Sequence, residues 1–443
     1  MTRLIHSFFL FKKYTMKYYL TFVLFFLLSF QLNAQILTTD EEKLISFINQ
    51  QIPQNLKLLK ELVNINSGTL NTVGVRKVGE ILKHEFDKIE FSTNWITFPD
   101  SLKRAGHLVA YRKGKKGKKL FLIGHLDTVF ELDTPANPYT ILNDSTVTGQ
   151  GVLDMKGGDV IILAALQAIN HFGWLKEATI TAYFTGDEEK PGQPSDITRA
   201  DFIERAKSHD IALAFEGGPL NKAVIGRRGF SSWKLNVYGN QAHSSVIFSK
   251  SAGYGSIYES ARILDSFRVS LSNEKFLTFN PGLIAGGTTL KETQEDIKVS
   301  GKNNIIASKT IVTGDLRFLT EKQMETAKVK MEKIVTINNL PGSKAEITFN
   351  DLTPSMEPTE GNQKLLDLFN KVSLDMKIGE IEAFDPGQRG AGDISFVAKY
   401  LDCLDGIGAN GSGAHAPGET MNLKDFTLSI QRAAIFIYRL INE

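Results

Sequence analysis

Cysteine is nearly absent from this chain: Cys403 is the only one among 443 residues. One thiol cannot close an internal disulfide, so the fold has to rest on something other than covalent cross-links. Cys403 lies between the apolar Leu401 and Leu404, after a predicted helix, and reads as a buried structural thiol rather than a nucleophile. An excess of charge is missing too. There are 51 Lys and Arg against 49 Asp and Glu, and that balance offers nucleic acid no basic face. The one dense basic segment, Arg112 to Lys119, falls between two predicted strands and reads as a solvated hairpin turn. Internal repeats and low-complexity tracts are absent. Long apolar runs are absent as well. The run from Tyr18 to Phe30 is short for a membrane span and lacks a stop-transfer flank.

That run does have the form of an export signal. Lys12, Lys13 and Lys17 precede it, and Leu32-Asn33-Ala34 resembles a cleavage site, so residues 1–34 are expected to be a cleaved bacterial signal peptide. The expected location is periplasmic or secreted, without stable membrane association; an uncleaved anchor is the alternative. Removing Arg3, Lys12, Lys13 and Lys17 takes the basic count from 51 to 47 against 49 acids. The mature chain then carries a formal net charge of −2.

The informative positive feature is a recurring pattern of apolar strands that run into potential metal ligands. Leu120-Phe121-Leu122-Ile123 leads to His125-Leu126-Asp127, one imidazole and one acid able to orient it. Gly151-Val152-Leu153-Asp154-Met155-Lys156-Gly157-Gly158 precedes a helical stretch from Val160 to Ile169, so Asp154 sits in a loop entering a helix. Thr179 to Phe184 leads to Gly186-Asp187-Glu188-Glu189, and Ile211 to Phe215 leads to Glu216. Each cluster alone is matched by an ordinary structural role: an N-cap, a solvated acidic loop, a strand exit. Together they are not. Strands alternating with helices imply a mainly parallel sheet, and ligands of such sheets collect beyond the carboxyl ends of the strands. The six carboxylates gathered there with one imidazole would repel strongly without divalent cations. Glu188 and Glu189 must lie in irregular backbone, because neighbours on a strand point to opposite faces.

With these residues placed, the chain resembles the co-catalytic zinc metallopeptidase family of glutamate carboxypeptidases, aminoacylases and dipeptidases. The matching pieces are His125-Leu126-Asp127, Gly151 to Gly158, Asp187-Glu188-Glu189, Glu216, Ala242-His243-Ser244 and Ala414-His415-Ala416. Phe184 to Lys190 and Asn304 to Phe318 place it nearest the folate-cleaving glutamate carboxypeptidase branch. The resemblance implies two Zn2+ ions, one held by His125, Asp154 and Glu216 and the other by Asp154, Glu189 and His415. It also implies Glu188 as general base, with Asp127 orienting His125. Nitrogen and oxygen donors without thiolate suit zinc, although other divalent ions would fit. The resemblance further implies that His243 crosses a homodimer to the reacting oxygen, that Arg317 holds a substrate carboxylate, and that Asn304 contacts the reacting group. Arg389, in Arg389-Gly390-Ala391-Gly392-Asp393, stands in a glycine-rich substrate loop. Its spacing to the aspartate is shorter than in the folate-cleaving branch.

The expected fold class is α/β: a mainly parallel-sheet zinc-hydrolase catalytic domain with a smaller inserted α/β domain. The insert is expected to hold a four-stranded sheet and two helices and to act in dimerisation. The catalytic domain is expected to cover residues 35–226 and 345–443, and the insert 227–344. The expected activity is hydrolysis of a peptide-like amide, releasing a C-terminal amino acid such as glutamate. The substrate would be a small peptide or an N-acyl amino acid. The alternatives are an N-acyl-amino-acid amidohydrolase or dipeptidase with the same metals, and, in a different class, a non-catalytic metal-stabilised periplasmic binding protein. Glu188 argues against the last, since a base that ligates no metal has no evident structural use there.

Overall fold

The computed structural model describes residues 37–293 and 296–443. The leader reading for residues 1–34 lies outside the described residues. Among them, no helix is long and apolar enough to cross a membrane.

The larger unit is built on a six-stranded sheet in the order 92–96, 107–112, 178–185, 116–125, 211–214, 402–404. The last four of these strands run parallel to one another. Their interiors are buried residue after residue, as expected for strands covered on both faces. The core on one face of the sheet joins Leu122, Ala182 and Leu213 to the helices Thr39–Val63, Lys156–His171 and Leu423–Leu440. The core on the other face is smaller and includes Phe121, Tyr183, Phe202 and Cys403. Burying an aliphatic or aromatic side chain of this size contributes roughly 1.5–3 kcal/mol, so a charge at Leu122 would undo the layer. The C-terminal helix starts where Asn422 accepts from the N–H groups of Lys424 and Asp425, and it turns Ile430, Ala434 and Ile437 inward.

The segment 112–119 is solvated but is not a hairpin turn. The strands on either side, His107–Arg112 and Lys116–His125, do not pair with each other; Ala178–Thr185 lies between them. Cys403 is buried as read, but on a short strand, Asp402–Leu404.

The second unit is a four-stranded antiparallel sheet ordered 278–287, 309–318, 229–239, 343–353. Strict alternation along Gly229–Gly239 turns Trp233, Leu235 and Val237 toward the helices Gly255–Leu271 and Glu321–Thr336. The fourth strand, Ser343–Thr353, runs on past the expected end of the insert at residue 344. Pro341-Gly342 reads in sequence as a boundary, yet it is the turn that feeds the returning strand, which pairs with Gly229–Gly239 over its length.

A third, small sheet positions the site directly. It orders strands 411–412, 420–422, 146–148 and 140–143, with Met421 opposite Val147. This pairing lays the loop holding His415 beside the loop holding Asp154.

Candidate metal centre

The parallel strands deliver their exits to one edge. His125 ends Lys116–His125, Glu188 and Glu189 follow Ala178–Thr185, and Glu216 follows Ile211–Ala214. Asp154 arrives from the loop before the helix Lys156–His171, which comes close because Gly158 lacks a side chain. A Cβ at Gly158 would stand 2.1 Å from the carbonyl oxygen of Phe215. His415 arrives from the small sheet in a left-handed backbone conformation, φ 65°.

Two groups of donor atoms result. His125, Asp154 and Glu216 form one and Asp154, Glu189 and His415 the other, the atoms of each lying within 4.8 Å of one another. His125 Nε2 is 3.2 Å from Asp154 Oδ1 and 3.7 Å from Glu216 Oε1. His415 Nε2 is 3.1 Å from Asp154 Oδ2 and 3.2 Å from Glu189 Oε2. Asp154 thus turns one oxygen to each imidazole.

The electrostatics fit cations. Burial followed by the charge of Asp154 pushes the Glu216 carboxyl up to about 8. Burial followed by Glu216 also holds Glu188 well above the carboxylate range. Burial would raise Asp154 as well, but His125 and His415 hold it below its usual value. Hydrogen bonds to Asp154 and then Glu189 lift His415 to about 11. Glu189 Oε1 is buried without a hydrogen-bond partner among the described residues. Buried carboxylates that raise one another's proton affinity, and one orphaned oxygen, are the condition a divalent ion relieves.

Asp127 stands beside His125, as expected, and also holds a second group. The nearest partner of His125 Nδ1 is the Asp127 backbone oxygen at 3.0 Å, while the carboxylate is 3.5 Å away. The carboxylate instead accepts the backbone N–H groups of Glu188 at 3.0 Å and Glu189 at 3.1 Å, and the Thr69 hydroxyl at 2.6 Å. Asp127 therefore holds the backbone of the acidic pair, and its own carbonyl fixes the His125 tautomer. With Nδ1 donating, Nε2 is left bare for a metal.

Several residues that matter here went unread in the sequence. Glu419, fully buried, accepts the N–H groups of Gly151, Leu153 and Asp154 at 3.0, 2.6 and 2.8 Å. Burial nevertheless pushes its carboxyl up to about 7. His107 accepts the N–H of Gly186 at 3.0 Å through Nδ1 and donates to the carbonyl of Thr198 at 2.8 Å through Nε2. Those two backbone partners require a neutral Nε2–H ring. Arg227 ion-pairs with Asp405 and donates to the carbonyls of Gly390 and Ala391. Nothing local in the sequence marks Glu419 or His107. Arg227, in Gly226-Arg227-Arg228-Gly229, stands out only as a change of region.

A cleft of about 390 Å³ opens over the two donor groups. Asp154, Glu188, Glu189, Glu216, Arg227, Arg389 and His415 line it. Glu188 belongs to neither donor group. Arg227 Nη2 and Arg389 Nε are buried without partners among the described residues. Of the expected substrate residues, only Arg389 lines the cleft. His243 and Asn304 lie together outside it, with His243 Nε2 3.5 Å from Asn304 Nδ2. Arg317 pairs with Asp315 at 3.0 Å and lies over the Phe230 ring.

The sequence matches the model of Peptidase family M20/M25/M40 over residues 121–439. It is 26% identical over 371 residues to carboxypeptidase G2 of Pseudomonas sp. (strain RS-16), covering 82% of this chain and 83% of that protein. It is 27% identical over 301 residues to succinyl-diaminopimelate desuccinylase of Polynucleobacter necessarius subsp. necessarius (strain STIR1), covering 63% and 73% of the two chains. The fold is shared with aminopeptidase PepT from Bacillus cereus ATCC 10987, with TM-score 0.71 at 16% identity over 88% of this chain and 98% of that one.

Proposed function

The chain belongs to Peptidase family M20/M25/M40, and from that premise we propose that it is a di-zinc carboxypeptidase that releases a C-terminal amino acid such as glutamate. What supports this reading is the position of Glu188: it faces the cleft beside both donor groups while belonging to neither. His125, Asp154 and Glu216 would hold one ion and Asp154, Glu189 and His415 the other. When bound, the ions supply Lewis acidity to the scissile carbonyl and its attacking water. Glu188 takes a proton from that water and delivers it to the leaving amine. Asp127 keeps Glu188 and Glu189 aimed by holding their backbone. The unpartnered nitrogens of Arg227 and Arg389 suit an anionic substrate group such as a carboxylate.

The second reading, an N-acyl-amino-acid amidohydrolase, draws on the likeness to a desuccinylase, because the same arginines could take a carboxylate on the acyl side. A screen of C-terminal glutamyl, N-acyl amino-acid and dipeptide substrates with the purified mature protein separates the two. Glu188→Gln should lower turnover by about 10²–10⁴-fold and leave metal content unchanged. Loss of metal together with activity would make Glu188 a ligand instead.

A homodimer is part of this reading. His243 and Asn304 stand exposed outside the cleft and would complete a site only by reaching a second copy. Export is part of it too, with the mature N-terminus expected at Gln35 by intact mass. A retained, membrane-bound leader would contradict it.

A further inference from the structure

Arg199 is fully buried and lies in neither donor group. Its guanidinium donates from Nη1 to Asp187 Oδ1 at 2.6 Å, from Nη2 to the Asp187 carbonyl at 3.3 Å, and from Nε to Asp393 Oδ1 at 2.9 Å. The remaining carboxylate oxygens are engaged as well. Asp187 Oδ2 accepts the N–H of Gly192 at 2.8 Å, and Asp393 Oδ2 accepts the Thr185 hydroxyl at 2.6 Å. His107 stands 4.0 Å from Asp187 and is committed as a neutral ring to Gly186 and Thr198.

The location of this buried cluster gives it meaning. Asp187 immediately precedes Glu188 and Glu189 on one wall of the cleft. Asp393 lies four residues after Arg389, which lines the same cleft. One planar guanidinium therefore ties these two segments together, and its three donors are fixed at set angles. A buried ion cluster is a poor means of adding stability, because desolvation offsets most of the attraction. It is a good means of setting one geometry. The side chains around it complete the effect: the N–H groups of Gly186, Glu188, Glu189 and Gly192 all end on His107, Asp127 or Asp187.

We propose that Arg199 is a positioning residue that locks the loop of Glu188 and Glu189 to the loop of Arg389, fixing the spacing between base, metal ligand and substrate-binding guanidinium. This rests on the reading of Glu188 as base and Glu189 as ligand. Arg199→Lys keeps the charge but cannot span both carboxylates. Thr185→Val removes one strut with little change of shape.

The test measures kcat, KM and stepwise zinc affinity for both variants, beside wild type and Glu188→Gln. Displacing reacting groups by about 1 Å costs on the order of 100-fold, so Arg199→Lys should lower kcat by about that factor and raise KM several-fold. The ion held by Glu189 and His415 should bind about ten-fold more weakly, while the ion held by His125 and Glu216 should be unaffected. Thr185→Val should move the same quantities in the same directions, by about three- to ten-fold. If Arg199→Lys does not fold, Thr185→Val decides alone. Kinetic constants and both zinc affinities within about two-fold of wild type, even with a lowered melting temperature, would overturn the proposal. The underlying reading fails differently: wild type would cleave no amide, or Glu188→Gln would keep full turnover, while the zinc affinities still report on Arg199.

Discussion

The Glu419 carboxylate holds the backbone N–H of Asp154 at 2.8 Å, and with it those of Gly151 and Leu153. The residue that turns one oxygen to each imidazole is thereby aimed by a side chain 265 positions away. Hydrogen bonds to a charged acceptor contribute roughly 1.5–3 kcal/mol each, and truncation would strand three buried donors. Glu419→Ala should therefore lower unfolding stability by on the order of 3 kcal/mol and weaken binding of both ions. Denaturant unfolding with and without zinc checks this. A variant with unchanged zinc affinity would reduce Glu419 to a packing role.

His107 provides a pH prediction. Burial, the largest influence, lowers its pKa below 6.5 despite the nearby Asp187 and Asp393, with Arg199 adding to the lowering. The folded protein thus keeps the ring neutral at pH values where the unfolded chain protonates it. The stability it contributes is fully present above about 6.5 and declines as pH falls through that value toward the folded pKa. His107→Gln offers a donor amide and an acceptor oxygen that do not titrate. Urea midpoints compared between pH 7.5 and 5.5 should show a smaller loss for the variant than for wild type. Equal losses would remove His107 from the acid response.

Much of this site is legible in the sequence because its donors sit at strand ends. An apolar run followed by His125, by Glu188 and Glu189, or by Glu216 is a local signal, and parallel strands bring such signals to one edge. The C-terminal helix is legible to its ends, since an asparagine cap and a periodic apolar face bracket Leu423–Leu440. The supporting shell is not legible. Asp127 meets Glu188 across 61 residues and Arg199 meets Asp393 across 194, and nothing beside either residue announces its partner. Pairing order is equally non-local: the segment 112–119 looks like a hairpin turn until Ala178–Thr185 inserts between its strands. The turn at Pro341-Gly342 misleads for the same reason, as only the sheet reveals that the chain returns to it.

The placement of His243 outside the cleft makes a subunit experiment decisive. Mixing inactive His243→Ala with inactive Glu188→Gln subunits should restore some activity, since one hybrid site regains both groups. His243→Ala alone should lower kcat more than it raises KM, and Arg317→Ala should mainly raise KM. Demonstrated subunit exchange without any return of activity, or a fully active wild-type monomer, would contradict the dimer.

The central claim is a two-ion site with Asp154 between the ions, and metal stoichiometry tests it most directly. Zinc titration of the metal-stripped wild-type protein, checked by elemental analysis, should give two equivalents, and Glu188→Gln should also give two. Asp154→Ala removes the oxygen that faces His125 and the one that faces His415, so it should lose both ions while remaining folded. A single equivalent in wild type that survives Asp154→Ala would contradict the account.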